Sequence, residues 1–230
     1  MKVLIIIPAY NEMESILNTI ADIRANAGAV DYVVINDCST DETERLLREN
    51  GASYVSLPCN LGIGGGVQAG YRFAREHGYD VAIQFDGDGQ HEAKYIPDLI
   101  RSLEDGPADI AIGSRFIRKE GFQSSGLRRA GIGFLSGLIR ALCGVRVLDV
   151  TSGMRAVNLR FIELYSVSYA QDYPEPEAIL TAALRGARIV EVPVEMRERQ
   201  GGKSSINPLR SVYYMIKVSL ALILTRATFR

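Results

Sequence analysis

Cysteine and histidine are scarce in this chain of 230 residues: three of the first, Cys38, Cys59 and Cys143, and two of the second, His77 and His91. An odd number of cysteines without metal-ligand spacing argues against a disulfide framework or a thiolate metal site and fits a reducing cytosol. Long hydrophobic runs are lacking as well. Val3–Ile7 is too short for a signal h-region and ends at Pro8. Val212–Thr225 is the most apolar stretch, but it falls short of the ~20 residues a spanning helix needs and carries Lys217, so it is expected to lie on a surface. Net charge is almost absent, 26 Lys+Arg against 27 Asp+Glu. General affinity for nucleic acid is therefore not expected, since backbone binding needs several uncompensated cations.

What is present suits one soluble globular domain. The chain is 47% hydrophobic, and a chain of this length buries roughly 70% of the surface its unfolded form exposes. Disorder and fibrous architecture are excluded. The near-zero charge conceals an asymmetry: from Arg185 onward there are nine basic and three acidic residues (+6), against 17 basic and 24 acidic before it (−7). The C-terminal fifth is cationic and apolar.

Strand-like runs alternate with helical patterns: Val3–Ile7 then Met13–Asn26, Tyr32–Ile35 then Asp41–Asn50, Tyr54–Leu57 then Gly66–His77, Val81–Phe85 then Tyr95–Leu103, and Ile110–Ile112. This predicts an α/β fold with a mainly parallel central sheet flanked by helices. Continuous apolar strands such as VLIII are those buried on both faces. Ser39 to Glu42 reads as a capping box, and Gly51 as a helix stop after Asn50. Beyond residue 115 the rhythm changes: a Gly/Ser/Arg-rich loop at Arg115–Arg129, a helix at Ala130–Cys143, a polar turn at Asp149–Arg155, a helix near Glu177–Leu184, a strand at Ile189–Val194 and a loop at Arg197–Ile206. An amphipathic helix closes the chain, so the expected organisation is an α/β domain at 1–206 and a membrane-surface or oligomer-contact helix at 207–230.

In open α/β sheets, ligands sit beyond the carboxyl ends of the strands. Here those ends read PAYNE (8–12), NDCSTDET (36–43), CNLGIGGG (59–66), FDGDGQH (85–91) and GSRF (113–116). Asp86 and Asp88, separated by Gly87, can be aimed at one point by a turn. Hard oxygen donors this close repel unless a divalent cation lies between them, and a partly filled Mg²⁺ or Mn²⁺ shell is completed by substrate phosphates. Gln90 offers a neutral oxygen. The rival reading is a solvated Asp-Gly turn; an EF-hand is excluded because Pro97 stands where its Glu belongs. The run from Asn60 through Gly62 to Gly66 suits close approach of backbone amides to a phosphate or sugar, or merely close packing of helix on sheet. Asp37 suits hydrogen bonding to a nucleobase or ribose, or charge at a helix start. Arg115, Arg129, Arg197, Arg199 and Lys203 suggest a second phosphate, although Arg118, Lys119 and Arg197 taken singly read as solvated surface.

These motifs, with TSGMRAV (151–157) and the spacing of Arg199, Gly202 and Ser204, resemble family 2 glycosyltransferases, above all dolichyl-phosphate mannose synthases and bacterial polyprenyl-phosphate sugar synthases. The resemblance runs over nearly the whole chain. It implies a GT-A fold, a nucleoside-diphosphate sugar donor (UDP- or GDP-sugar), Mg²⁺ or Mn²⁺ and inversion at the anomeric carbon. Carried onto this sequence, it has Pro8, Ala9, Tyr10 and Glu12 line the nucleotide pocket and Asp37 read the base. It gives Asp86, Asp88 and Gln90 the metal and diphosphate, and Arg115, Arg129 and Arg199 the acceptor phosphate. Longer family members append transmembrane helices, so here membrane capture is expected from the last helix, from oligomerisation or from a separate membrane protein.

The expected reaction is in-line transfer of the sugar to a polyprenyl monophosphate, with the enzyme peripheral on the cytoplasmic face of the plasma membrane. A phosphate acceptor is already ionised at neutral pH, its second pKa being ~6, which suits a chain poor in histidine. Asp149 is the candidate for orienting the acceptor or accepting a proton, with Glu175 or Glu177 behind it. The alternatives are transfer to a saccharide hydroxyl in polysaccharide synthesis, which needs a base, and a non-catalytic nucleotide-sugar-binding protein.

Overall fold

The computed structural model describes residues 1–118, 126–197 and 208–229. Seven strands, β1 (Val3–Ala9), β2 (Asp31–Asn36), β3 (Tyr54–Ser56), β4 (Val81–Gln84), β5 (Ile110–Ser114), β6 (Arg155–Asn158) and β7 (Ile189–Pro193), form one sheet in the order β3-β2-β1-β4-β6-β5-β7. All neighbours are parallel except β6, which runs antiparallel to both β4 and β5. Every residue of β1 is buried, as its unbroken apolar sequence requires for a central strand covered on both faces.

Successive β1 side chains point to opposite faces and divide the core. Leu4 and Ile6 join a cluster with residues of α3 (Gly62–Glu76), α5 (Gly126–Cys143), α6 (Leu159–Val167), α7 (Pro174–Leu184) and α8 (Pro208–Thr228). Ile5 and Ile7 join a second cluster with α1 (Ile16–Asn26), α2 (Thr43–Glu49) and α4 (Ile96–Glu104). Gly70 lets α3 lie directly on β1: a Cβ there would fall 2.1 Å from Ile6 Cγ2. Val218 and Leu222 of α8 are buried in the first cluster, beside Leu135 of α5, so the last helix packs on the domain. Among the described residues no helix is long and apolar enough to cross a membrane.

Several local expectations shift. Helix α1 begins at Ile16 rather than Met13, because Asn11 adopts a left-handed φ of 56° and the Glu12 carbonyl takes the first amides, Ser15 and Ile16. Ser39 does not cap α2; its hydroxyl accepts from Asn11 N, and Asp41 Oδ1 accepts from Thr43 N instead. Gly51 does end that helix, with φ 59° and Ala52 N donating back to Leu47 O. Helix α3 starts four residues before Gly66. Residues 126–129 belong to α5 rather than to a loop. The polar turn runs directly into β6 and α6, neither of which the periodicity announced, and α7 starts at Pro174, so Glu175 and Glu177 lie in its first turn.

Candidate active site

Strands β1, β2, β4 and β5 end at one edge of the sheet, where the antiparallel β6 begins, and their polar continuations meet there. The loops after β1 and β2 clasp each other. Asn11 Oδ1 accepts from Thr40 N at 2.8 Å, Glu12 N donates to Thr43 Oγ1 at 2.9 Å, and Asp37 N donates to Ala9 O at 2.9 Å. Pro8 and Ala9 are buried within β1, Glu12 is half-buried with Ser15 donating to its carboxylate, and the Tyr10 ring stands 46% exposed at the mouth. This arrangement suits a flat base lying on the ring.

The glycine-rich segment serves packing more than ligand approach. Buried Asp37 accepts from Leu61 N through Oδ1 at 2.7 Å, Asn60 Oδ1 accepts from Gly62 N, and Gly64 N donates to Gln171 O. Most early amides of α3 are thereby taken by the protein itself. A Cβ on Gly64 would sit 2.0 Å from Ala170 O, and one on Gly65 2.4 Å from Leu61 Cβ. These glycines let α3 press on the 170–171 loop, which is the packing alternative of the sequence reading. Gly66 is looser, with Pro8 Cβ at 3.9 Å.

The acidic turn follows β4. Gly87 passes under the end of β1, where a Cβ would meet Pro8 O at 3.1 Å, and Gly89 turns the chain with φ 74°. Asp86 Oδ2 faces His91 Nε2 at 3.2 Å and Oδ1 faces Gln84 Nε2 at 3.5 Å. Burial alone would raise the Asp86 pKa. The His91 hydrogen bond and charge, the Gln84 amide and the nearby Arg155 guanidinium outweigh it and hold the carboxyl below its ordinary value. Asp88 Oδ1 accepts from Gln90 N at 3.0 Å, and the Gln90 carbonyl accepts from Arg197 N. Among the described residues no cluster of three or more His, Cys, Asp or Glu side chains suits a metal. Two hard carboxylates in one turn therefore match a divalent cation that takes its remaining oxygens from a diphosphate, not an all-protein cage.

The cationic side follows β5, which only β6 separates from β4, so Arg115 and Asp86 leave the sheet about 10 Å apart. Arg115 is buried and bidentate to Asp149, Nε to Oδ2 and Nη2 to Oδ1, both at 2.6 Å, and reaches Thr151 Oγ1 at 3.1 Å. Asp149 is fully buried, and Glu191 accepts from its backbone N–H. Its carboxylate is thus an anchor for Arg115 rather than an open base. From α5, the charge of Arg128 interacts with Arg115, Asp149 and Tyr214; partial desolvation of its guanidinium and the like charge of Arg115 lower its pKa, although the residue as a whole is exposed. Neighbouring residues on a helix point about 100° apart, and both arginines are exposed. Lys119, Arg199 and Lys203 lie outside the described residues. Glu175 meets Gln84 and Arg155 beneath Asp86, and its pKa is raised chiefly by burial; burial also raises that of Glu177.

Sequence reading missed His91, Gln84, Arg128, Gly153 and Arg155 as parts of this site. The available signal was the segment TSGMR itself, which β6 pairs against the acidic strand.

The whole chain superposes on glucosyl-3-phosphoglycerate synthase from Mycobacterium tuberculosis, solved with Mn²⁺, UDP and phosphoglyceric acid, with a TM-score of 0.74 over 100% of this chain and 79% of that one at 23% identity. This is the GT-A architecture of nucleotide-sugar glycosyltransferases. More particularly, the chain belongs to glycosyl transferase family 2, whose model matches residues 4–163. It is 32% identical to an undecaprenyl-phosphate mannosyltransferase of Micrococcus luteus over 90% of this chain and 88% of the relative. It is 27% identical to a polyprenol monophosphomannose synthase of Mycolicibacterium smegmatis over 95% and 86%.

Proposed function

We propose that this enzyme transfers a sugar, with inversion, from a UDP- or GDP-sugar to a polyprenyl monophosphate. The observation that carries this reading is the state of Asp149. The acid expected to serve as base for a hydroxyl acceptor has both oxygens bound to a buried guanidinium, which suits an acceptor that brings its own negative charge. A phosphate monoester does so, and the two relatives' names point to the same acceptor class.

Each part of the site then has a task. Tyr10, Asp37 and the clasped loops hold the nucleoside. Asp86 and Asp88, with Gln90 closing their turn, would hold Mg²⁺ or Mn²⁺, which supplies positive charge to the leaving diphosphate. Arg115, fixed by Asp149, and Arg128 face the acceptor phosphate, with Arg129 one helical step further on; Arg199, outside the described residues, keeps its acceptor-phosphate role from the sequence motif alone. An oxygen of that phosphate attacks the anomeric carbon in line, the bond from carbon to diphosphate oxygen breaks, and its electron pair leaves with the nucleoside diphosphate. No proton has to be removed.

Helices α5 and α8 support a peripheral position on the cytoplasmic face of the membrane. Together they carry six basic residues, Arg128, Arg129, Arg140, Arg210, Lys217 and Arg226, and no acidic one. They expose Leu127, Phe134, Tyr213, Ile216, Leu220, Ile223 and Leu224. Helices rich in basic residues with exposed apolar side chains suit an anionic headgroup layer. The test of the acceptor is chemical: polyprenyl phosphate is expected to accept the sugar and the corresponding free polyprenol is not. Equal transfer to both would show that the enzyme itself activates a hydroxyl.

A further inference from the structure

Strand β6 pairs with β4 in a register that sets Arg155 opposite Gln84. Continued two residues past the strand end, this antiparallel register sets Gly153 opposite Asp86, on the same face as the Gln84–Arg155 pair. Directly opposed side chains in such a ladder have Cβ atoms about 5 Å apart, and the Asp86 carboxylate occupies the space that a partner side chain would fill. A Cβ built on Gly153 would lie 2.2 Å from Asp86 Oδ2, 2.5 Å from Oδ1 and 2.6 Å from Cγ. All three carboxyl atoms would collide with it.

The turn that carries Gly153 cannot back away. Ser152 N donates to Asp149 O, Met154 N to Ser152 Oγ, Gly113 N to Met154 O, and Arg155 Nη2 to Ser152 O at 2.7 Å. Nor does the backbone require glycine, because Gly153 is not among the residues with left-handed φ. The missing side chain is needed for space alone, and the neighbour that takes the space is Asp86.

We propose that Gly153 is a positioning residue for the metal-binding turn: by lacking a side chain it lets the Asp86 carboxylate lie back against the start of β6. There Gln84 and His91 fix the two oxygens in the direction a cation shared with Asp88 requires. This rests on the reading of Asp86 and Asp88 as the metal ligands. Any larger residue at 153 pushes the carboxylate out of that setting while leaving Asp88, the nucleotide loops and the arginine side untouched.

The test measures Mn²⁺ binding to the full chain, with UDP and separately with GDP present, for wild type, Gly153→Ala, Asp86→Ala and the double variant. Metal-free melting temperatures are taken in parallel. Gly153→Ala is expected to weaken Mn²⁺ binding by about 10- to 100-fold, the loss typical of disturbing a ligand's support, and to lower the melting temperature. In the Asp86→Ala background the same change should cost no further metal affinity and no stability, because the colliding carboxylate is gone. Wild-type Mn²⁺ affinity in Gly153→Ala overturns the inference, and so does an equal melting loss, or failure to fold, in both backgrounds. Should Gly153→Ala fold only when Asp86 is Ala, the collision is demonstrated directly. Failure of wild type itself to bind Mn²⁺ would instead remove the metal reading of the turn, and this inference with it.

Discussion

Two carboxylates flank the cleft, and they are treated in opposite ways. Asp149 is fully buried, and a guanidinium saturates both its oxygens. The Asp86 side chain is 33% exposed, and its closest partners are an imidazole and an amide. A carboxylate in a bidentate pair with arginine has its field neutralised within the protein, whereas one that meets an imidazole and an amide singly and stays partly exposed keeps more of its charge for an arriving cation. The first suits a fixed acceptor-side arginine and the second a metal, so one sheet edge supports both.

The comparison breaks most severely at the metal. Asp88→Ala is expected to reduce transfer by about 10³-fold or more and to leave the melting temperature within about 2 °C of wild type; retained activity that ignores EDTA would refute a metal role. Breaking the other pair should cost stability first. Arg115→Ala leaves Asp149 buried without its cation, a loss of roughly 3–5 kcal/mol, or about 6–20 °C in melting temperature for a chain of this size. Adding Asp149→Asn should recover part of that fall in a thermal melt. Third, Arg128→Ala should raise the KM for polyprenyl phosphate about tenfold with little change for the nucleotide sugar, and Arg129→Ala should do much less. Equal changes for both substrates would move Arg128 to the donor side.

Smaller effects sharpen the same contrast. Ile216→Glu with Leu220→Glu, both exposed on α8, should reduce co-sedimentation with anionic liposomes while sparing nucleotide binding. Undiminished co-sedimentation would assign membrane capture to another surface. Glu175 has a raised folded-state pKa, so its ionised form is disfavoured by folding, and the stability tied to its protonated form is lost as pH rises through that value. Glu175→Gln should therefore raise the melting temperature by about 3 °C or less at pH 8 and leave it almost unchanged at pH 4.

Half of the site was legible because its signals are local. Apolar runs ending in PAYNE, NDCSTDET and FDGDGQH identify strands by composition and ligand-facing turns by the polar residues that follow, and the sheet order then gathers them at one edge. The other half depends on pairing between distant segments. Arg155–Asn158 reads RAVN, two apolar residues between polar ones and no apolar run like that of β4, so β6 could not be recognised, and with it the placement of TSGMR against Asp86 was lost. Arg115 and Asp149 are each expected as site residues from the sequence, but only the fold shows that they occupy each other. Arg128 and Arg129 look alike in sequence and differ by one helical step.

The central claim is sugar transfer to a lipid phosphate. Its most direct measurement incubates the full chain with radiolabelled UDP- and GDP-sugars, Mn²⁺ or Mg²⁺ and polyprenyl phosphate, then follows label into organic solvent beside release of nucleoside diphosphate. The predicted result is label in the organic phase matching diphosphate release mole for mole, dependent on the lipid and absent in Asp88→Ala. Diphosphate release that ignores the lipid, with label remaining in water or passing to an added saccharide, would contradict it.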